Sequence, residues 1–587
     1  MKLSAVALDY DGTIARDGLL DPDVLRAITR LRAHGITILL VTGRILDDLK
    51  RLNTDLHFVD VIVAENGAVV EFPDSGHSTC LGEPPPAAFL DALRREQIVF
   101  AVGRSIVDID AGEAERVLRI IRQLELPLAL VFNRSRLMVL PQAISKATGL
   151  RYALTVLRLS THNTVAIGDA ENDHELLRIC ELGVAVAWGS HALQAAADEV
   201  APGGDPSALA AYLDHLLVTP QIPTPRRIRR HVLLGHADDG RAFSLAVRGR
   251  NALVAGDPRS GKSWVAGLLC EQLILHSYCL CILDPEGDYT SLQALPGVTV
   301  FGGADPLPRP RELLRALRHP DVSVIVDLSH AREDEKREYL RTVLPGLATL
   351  RRRTGLPHRI VVDEAHYFLQ DEDVRSMLDL ELNGYMLITY RASQLHPSVL
   401  AANHAVIVTC ESDPVEVEAL RRLCRCDAGS PSAEQWAGLL GSLVVGEAMV
   451  LPITDEAEGQ MRRIRLAPRL TPHVRHLNKY IDIPVAQNHA FMFGRASAPA
   501  GPRARTLREF VAILDGGSAI ALDDHLRRGD VSRWVAEVFG DYPLAAELRT
   551  VEQRYRDGAL TDPGVHLTQA IRARYEFIED VPRVESS

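Results

Sequence analysis

Short apolar runs alternate with amphipathic stretches through the first two hundred residues. LSAVALDYD (3–11) is followed by DPDVLRAITRLRAHG (21–35) and then by ITILLVTGR (36–44). The apolar runs have strand length, and the stretches between them carry apolar residues at helical spacing. This βαβ rhythm predicts an α/β fold built on a parallel sheet. The rhythm breaks at PQIPTPRRIRR (220–230), where three prolines and four arginines read as a linker. A second α/β region follows. Its strand candidates are NALVAGD (251–257), CLCILD (279–284), VSVIVDLS (322–329), RIVVDEAH (359–366), YMLITYR (385–391) and HAVIVTC (404–410). Near residue 470 the strand pattern stops, and REFVAILDG and DVSRWVAEVFGDYPLAAELRTVEQRY predict a mainly helical tail. Trp534, Val538 and Leu544 are expected in its core.

A chain of 587 residues is too long for one core and suggests three or four domains. The net charge of −12 speaks against a uniformly basic nucleic-acid coat, while leaving a local basic channel open. The arginines of RPRELLRALR (309–318) and of 351–353 read as solvated helix faces. The first residues run directly into a motif, leaving no room for a signal peptide. No apolar run approaches the roughly 18 residues of a membrane helix. The eight cysteines include the CxC pairs Cys279/Cys281 and Cys424/Cys426, which lack zinc-site spacing. Buried structural thiols in a cytoplasmic protein, with no membrane partner, are expected.

Two phosphate-handling patterns stand out. In the first, Asp9 and Asp11 of DYDGT (9–13) end an apolar run. Residues i and i+2 of a strand share a face, so both carboxylates reach one point. A carboxylate beside Mg²⁺ can attack phosphorus, and its neighbour can carry the leaving group's proton. VTGR (41–44) offers the Thr42 hydroxyl and backbone N–H groups to a phosphoryl oxygen. Lys146 supplies a cation, and Asp169 and Asp173 of GDAEND (168–173) are oxygen ligands suited to Mg²⁺. These four motifs, in this order, resemble the haloacid-dehalogenase superfamily of phosphatases, in its Cof-like and phosphoglycolate-phosphatase-like branch. The resemblance covers residues 1–217. It implies a Rossmann-like domain with a small α/β cap at about 80–140, in which VGRSIVDID and SRLMVLP are strands and EAERVLRIIRQLE is a helix. It implies Asp9 as nucleophile, Asp11 as general acid/base, and Thr42 and Lys146 on the phosphoryl group. Asp9, Asp169 and the Asp11 backbone carbonyl would hold Mg²⁺, supported by Asn172 and Asp173.

The second pattern is GDPRSGKS (256–263), preceded by a strand and followed by a helix. Gly256, Asp257, Pro258, Arg259, Ser260 and Gly261 would cradle phosphate with backbone N–H groups. Lys262 would contact the β/γ-phosphates of ATP and Ser263 would ligate Mg²⁺. RIVVDEAHYF delivers Asp363 and Glu364 at a strand tip, one for Mg²⁺ through water and one to polarise an attacking water. TYRASQLHP places Ser393 and Gln394 as γ-phosphate sensors, with Arg391 as a sensor, an arginine finger or an ordinary structural residue. With the β-rich lead-in HVLLGHADDGRAFSLAV and ILDPEGDY (282–289), the region resembles the HerA/FtsK group of ATPases. That resemblance implies a RecA-like domain over 231–470, after a linker at 218–230, and oligomers up to a hexameric ring. The tail, 471–587, resembles helical accessory domains found beside such ATPases. His473, His476 and Lys479 lie on one candidate helix face there and read as surface or packing residues.

The expected function is a Mg²⁺-dependent phosphatase acting on a small phosphomonoester of the sugar-phosphate or phosphoglycolate class, fused to an ATP-hydrolysing module that regulates or assembles it. Two alternatives stay open. One is an ATP-driven nucleic-acid machine with a terminal phosphatase. The other is an enzyme resembling polynucleotide kinase-phosphatase, although the Asp363–Glu364 pair, ILDPEGDY and the cap argue against it.

Overall fold

The computed structural model describes residues 2–52, 56–218, 221–222, 230–246, 250–371, 373–424, 432–453, 461–471, 485, 489–494, 501–516, 522–539 and 541–574. Of the expected linker 218–230, only Val218, Gln221, Ile222 and Arg230 are described, and His473, His476 and Lys479 lie outside the described residues. The chain divides into two compact units. One is Met1–Pro285 with Tyr289–His473, and the other is Glu286–Asp288 with Val474–Ser587.

An eight-stranded sheet carries the first motif set. Its order is Glu199–Ala201, Leu182–Val186, Thr164–Gly168, Ala5–Asp9, Thr37–Val41, Val61–Ala64, Val69–Phe72, His77–Cys80. The first six strands are parallel and the last two antiparallel. Alternation along each strand feeds two cores. Val6, Leu8, Ile38 and Leu40 enter one layer, and Ala5, Ala7, Leu39 and Val41 the other. A strand buried on both faces reads as a continuous apolar run, which is why LSAVAL shows no polar alternation.

Between strand His77–Cys80 and Lys146 lies a separate four-stranded antiparallel sheet, ordered Leu128–Asn133, Arg136–Pro141, Val107–Asp110, Phe100–Val102. Helices Ala87–Arg95 and Ala114–Gln123 cover it, burying Phe89, Leu93, Val117 and Ile120 against Val107, Ile109, Leu137 and Val139. VGRSIVDID is therefore not one strand. Gly103 N–H closes on Ile106 O at 2.9 Å, folding the run into a hairpin, and Phe100–Val102 pairs back on Val107–Asp110. The LALVFN strand and the first helix carried no motif that singled them out.

The second half of this unit holds an eleven-stranded sheet. Seven neighbours run parallel: Ala405–Val408, Ala252–Ala255, Tyr385–Thr389, Arg359–Val362, Leu280–Asp284, Ser323–Asp327, Val298–Gly302. Glu447–Val450, Arg462–Leu466, His231–Ala237 and Ala242–Ala246 extend it antiparallel. Cys281 and Leu283 face one core, Leu280 and Ile282 the other. Cys279 and Cys281 are buried free thiols, as the apolar run predicts. The arginines at 351–353 are not all solvated. Arg351 is buried, donates to Asn383 O and stacks over the Tyr385 ring, because the start of strand Tyr385–Thr389 packs against that helix face.

The second unit packs helices Leu507–Asp515, Asp523–Arg528, Asp530–Trp534, Tyr542–Arg556 and Pro563–Arg574. Strands do not stop at 470, since Phe491–Met492 pairs with Arg503–Ala504. Its core gathers Phe491, Phe510, Trp534 and Leu544, with Val538 packed at the edge. Among the described residues no helix is long and apolar enough to cross a membrane.

Candidate active site and glycine-rich loop

Three adjacent parallel strands end at one point. Ala5–Asp9 delivers Asp9, Thr37–Val41 leads into Thr42, and Thr164–Gly168 leads into Asp169. The carboxyl ends of parallel strands are where open α/β sheets place their sites. Lys146 begins helix Lys146–Leu157, capped reciprocally by Ser145 and Thr148. Its ammonium lies 2.5 Å from Asp9 Oδ1 and 2.6 Å from Asp173 Oδ1, fully out of water.

Asp9, Asp169 and Asp173 are all buried, and one oxygen from each falls within 4.8 Å of the others. Burial pushes the Asp9 carboxyl well above its ordinary value. Lys146 opposes that shift, while Asp173 and Asp169 add to it. Burial likewise raises Asp169, with Asp173 reinforcing and Arg134 opposing. For Lys146, burial disfavours the ammonium, but Asp173 and Asp9 outweigh it and raise the lysine above its usual range. Three carboxylates thus face one lysine, and this surplus of hard oxygen donors fits Mg²⁺. The three are not equivalent. Asp173 accepts from Lys146 and, through Oδ2, from the Asp169 and Ala170 N–H groups at 3.1 Å, so it holds the turn and the lysine in place.

Asp11 sits at the rim, gripped by Arg44 through Nε and Nη2, each 2.6 Å away. Arg44 follows Thr42 in the TGR turn, so sequence adjacency was the signal for it. Thr42 is buried, and its Oγ accepts the Arg44 N–H at 3.1 Å. Its own N–H is not free for phosphate as expected, because the sheet ladder continues and it donates to Val63 O at 2.8 Å. Several neighbours carried no role in the sequence reading. Thr13 sets its hydroxyl between Asp9 Oδ2 at 3.3 Å and Asp169 Oδ1 at 3.2 Å. Trp188 donates to Gly12 O at 2.6 Å. Asn172, by contrast, was expected to support the metal site, and its Nδ2 donates to Asn66 Oδ1 at 3.2 Å. Arg134, from the cap, donates to Asp169 Oδ2. Gly12 is obligatory here: its φ is +82°, and a Cβ would lie 2.5 Å from Asp169 Oδ2.

The second pattern occupies a different sheet. Strand Ala252–Ala255 runs into the loop 256–261, and helix Lys262–Leu275 follows. Gly256 and Gly261 take φ of +145° and +106°, and Arg259 takes +69°, which turns the loop over the helix N-terminus. Lys262 Nζ folds back to Asp257 O at 2.8 Å. Ser260 meets Thr409 beneath the loop, and Asp257 Oδ2 accepts Ser412 Oγ at 2.7 Å. Ser263 sits partly buried in the first helical turn. Asp363 and Glu364 leave the tip of Arg359–Val362, and Glu364 is held at φ +47°. One strand, Tyr385–Thr389, separates this tip from the loop strand. His366, just past the tip, reaches that intervening strand, its Nδ1 lying 3.0 Å from Thr389 Oγ. Burial, with Lys262 and Arg391 nearby, pushes its imidazole down to about 4. Ser393 is spent rather than poised for a γ-phosphate: its hydroxyl donates to Glu416 Oε1 at 2.5 Å. Arg391 pairs with Asp413 at 2.8 Å, and Gln394 is exposed.

A family profile of haloacid dehalogenase-like hydrolases matches residues 6–81 and 98–213. A phosphoglycolate phosphatase of Archaeoglobus fulgidus is 28% identical over 227 residues, 37% of this chain and 97% of that protein. One of Natronomonas pharaonis is 30% identical over 211 residues, 34% of this chain and 91% of that protein. A haloacid dehalogenase-like hydrolase of known structure from Bacteroides thetaiotaomicron is 18% identical, and the match covers 37% of this chain and 100% of that one with a TM-score of 0.34.

Proposed function

Because its N-terminal third belongs to the haloacid dehalogenase-like hydrolases, we propose that the chain hydrolyses a small phosphomonoester, of the phosphoglycolate or sugar-phosphate class, through an aspartyl-phosphate. The observation that carries this reading is the buried junction of Asp9, Asp169, Asp173 and Lys146 at the ends of adjoining strands. Asp9 attacks phosphorus, forming an acyl-phosphate bond as the ester P–O bond breaks, and Asp11 gives the departing alkoxide its proton. Asp11 then takes a proton from water, whose oxygen attacks phosphorus and releases Asp9 and inorganic phosphate. Asp9 and Asp169, with the Asp11 carbonyl, would hold Mg²⁺, which when bound neutralises phosphoryl oxygen charge. Lys146 opposes the protonation that burial favours at Asp9, and it pins Asp173. Arg44 orients the acid/base carboxyl.

The same proposal assigns residues 231–470 as an ATP-binding and hydrolysing module that regulates or assembles the phosphatase, within a cytoplasmic enzyme that forms oligomers. It is supported by the left-handed glycines before helix Lys262–Leu275, and by the Asp363–Glu364 tip one strand away. Lys262 and the loop N–H groups would take the phosphates, Ser263 and Asp363 the Mg²⁺, and Glu364 the attacking water.

One experiment tests both halves: phosphate release from small esters with Mg²⁺, with and without ATP. Asp9→Asn should lower phosphatase kcat at least about 10³-fold while nucleotide binding persists. Lys262→Ala should abolish nucleotide binding and leave phosphatase turnover without ATP intact. Unchanged ester turnover in Asp9→Asn removes the nucleophile assignment, and unchanged ATP binding in Lys262→Ala removes the second site.

A further inference from the structure

Strand Val61–Ala64 runs into Glu65, Asn66 and Gly67, three successive residues at φ of +54°, +54° and +101°. Asn enters that left-handed region readily and Glu does not, so the turn must be held from outside. Part of the hold comes from the TGR turn. Glu65 N–H donates to Arg44 O at 2.9 Å, and Asn66 N–H to Thr42 O at 3.0 Å. The Glu65 side chain reaches the cap instead. Its carboxylate, fully shielded from water, accepts the Arg104 N–H on Oε1 at 3.0 Å and the Ser105 N–H on Oε2 at 2.9 Å. Both donors belong to the hairpin between Phe100–Val102 and Val107–Asp110. Gly103 opens that hairpin, and a Cβ on it would fall 2.6 Å from Glu65 Oε2. Ser105 Oγ donates to Gly82 O at 2.9 Å and Arg104 Nη1 to Ser78 Oγ at 2.9 Å, so the hairpin is fixed beside the segment that leads into the cap.

A buried carboxylate is costly unless its oxygens are matched. Among the described residues no cationic side chain pairs with Glu65, and the two backbone N–H groups of the cap hairpin take that place. The carboxylate is therefore satisfied only while the hairpin is seated on it. The backbone of the same residue fixes the turn from which Arg44 reaches Asp11, at 2.6 Å through Nε and through Nη2. We propose that Glu65 is a positioning residue that ties the seating of the cap to the placement of Asp11, so that the leaving group receives its proton only under a seated cap. The start of helix Lys146–Leu157 meets this turn through the Gly67 backbone and not through the carboxylate, so the setting of Asp9 does not depend on it. The inference rests on the phosphatase reading above and deepens it by naming what controls the acid/base.

The test separates proton delivery from attack by Asp9. Ethyl phosphate and acetyl phosphate are similar in size, but ethoxide needs a proton to leave and acetate does not. Wild type and Glu65→Gln, checked for folding by circular dichroism, are assayed on both with Mg²⁺. In the variant an amide NH₂ faces one of the two N–H donors, so the hairpin loses an acceptor. Its kcat/KM for ethyl phosphate should fall about 10- to 100-fold, and that for acetyl phosphate should change less than about threefold. Gly103→Ala approaches the same contact from the cap side and replaces Glu65→Gln should that variant not fold. It should show the same dependence on the leaving group, and combining the two should cost less than about threefold further, because both act on one contact. Equal losses on the two esters, no loss on either, or fully additive losses overturn the assignment. Hydrogen exchange followed by mass spectrometry keeps the two readings apart. In the variant, exchange should quicken at residues 103–105 and also at 42–44. If wild type turns over no small ester, the phosphatase reading fails. Exchange that quickens at 103–105 alone, or at neither segment, then overturns the role of Glu65 as well, and quickening at both upholds it.

Discussion

Glu411 is 1% exposed and follows the strand beside the glycine-rich loop, next to Asp257. Burial pushes its carboxyl up to about 8. The Asp413 N–H, 3.0 Å from Oε1, opposes the rise, and Asp257 adds to it. In the unfolded chain the same group titrates near its ordinary 4.5. Between those values the folded chain holds a proton that the unfolded chain releases. Stability is therefore full below the lower value and falls as pH rises toward the higher one. Urea unfolding of wild type and Glu411→Gln from about pH 5 to about pH 8 should show the wild type losing ground steadily to the variant. Parallel stability curves would show that Glu411 stays ionised in the fold.

The helix Lys146–Leu157 can present its lysine only because its first turn lies against the 65–67 turn. Gly67 takes φ +101°, and a Cβ there would fall 1.9 Å from Ser145 O. A Cβ on Gly149 would fall 2.6 Å from the Gly67 Cα. Backbone thus packs on backbone, and no side-chain rotation can relieve an added methyl. Gly67→Ala should cost about 2–4 kcal/mol in urea unfolding. It should also lower kcat about tenfold or more, as the Lys146 ammonium moves off Asp9 and Asp173. A variant with native stability and rate would mean that the helix start tolerates displacement.

The matched phosphoglycolate phosphatase of Archaeoglobus fulgidus is spanned almost whole by 37% of this chain. Here the corresponding region shares a polar junction with the second sheet. Glu181 is shielded from water and receives His162 Nδ1 at 2.8 Å, Tyr278 OH at 3.1 Å and Arg230 Nε at 3.5 Å. His162 also stacks on Tyr278 at 3.7 Å and meets His276 O at 2.8 Å. Arg230 closes on the carbonyls of Arg178, Ile179 and Cys180. Removing one member strands the others away from solvent, so Glu181→Ala should destabilise the full chain by about 3 kcal/mol. A loss under about 1 kcal/mol, by the same unfolding assay, would make the junction incidental.

The amino-acid sequence alone determined what is encoded within a few residues. Strand tips carrying Asp9, Asp169 and Asp363 follow from apolar runs that end in acidic residues, and the loop before Lys262 follows from glycine spacing. Each is a local pattern whose geometry the backbone period dictates. Tertiary structure decided which polar groups remain available, because a donor is spent by whatever the fold brings beside it. Thr42 gives its N–H to Val63, Ser393 its hydroxyl to Glu416, and Arg351 is buried by Tyr385. Thr13 joins Asp169 across 156 positions and Arg134 joins it across 35. No periodicity reports such pairings, since they depend on strand order and on where the cap hairpin lands. The acidic residues of the site were local in the chain, and the partners each of them meets exist only once the two sheets and the cap are folded.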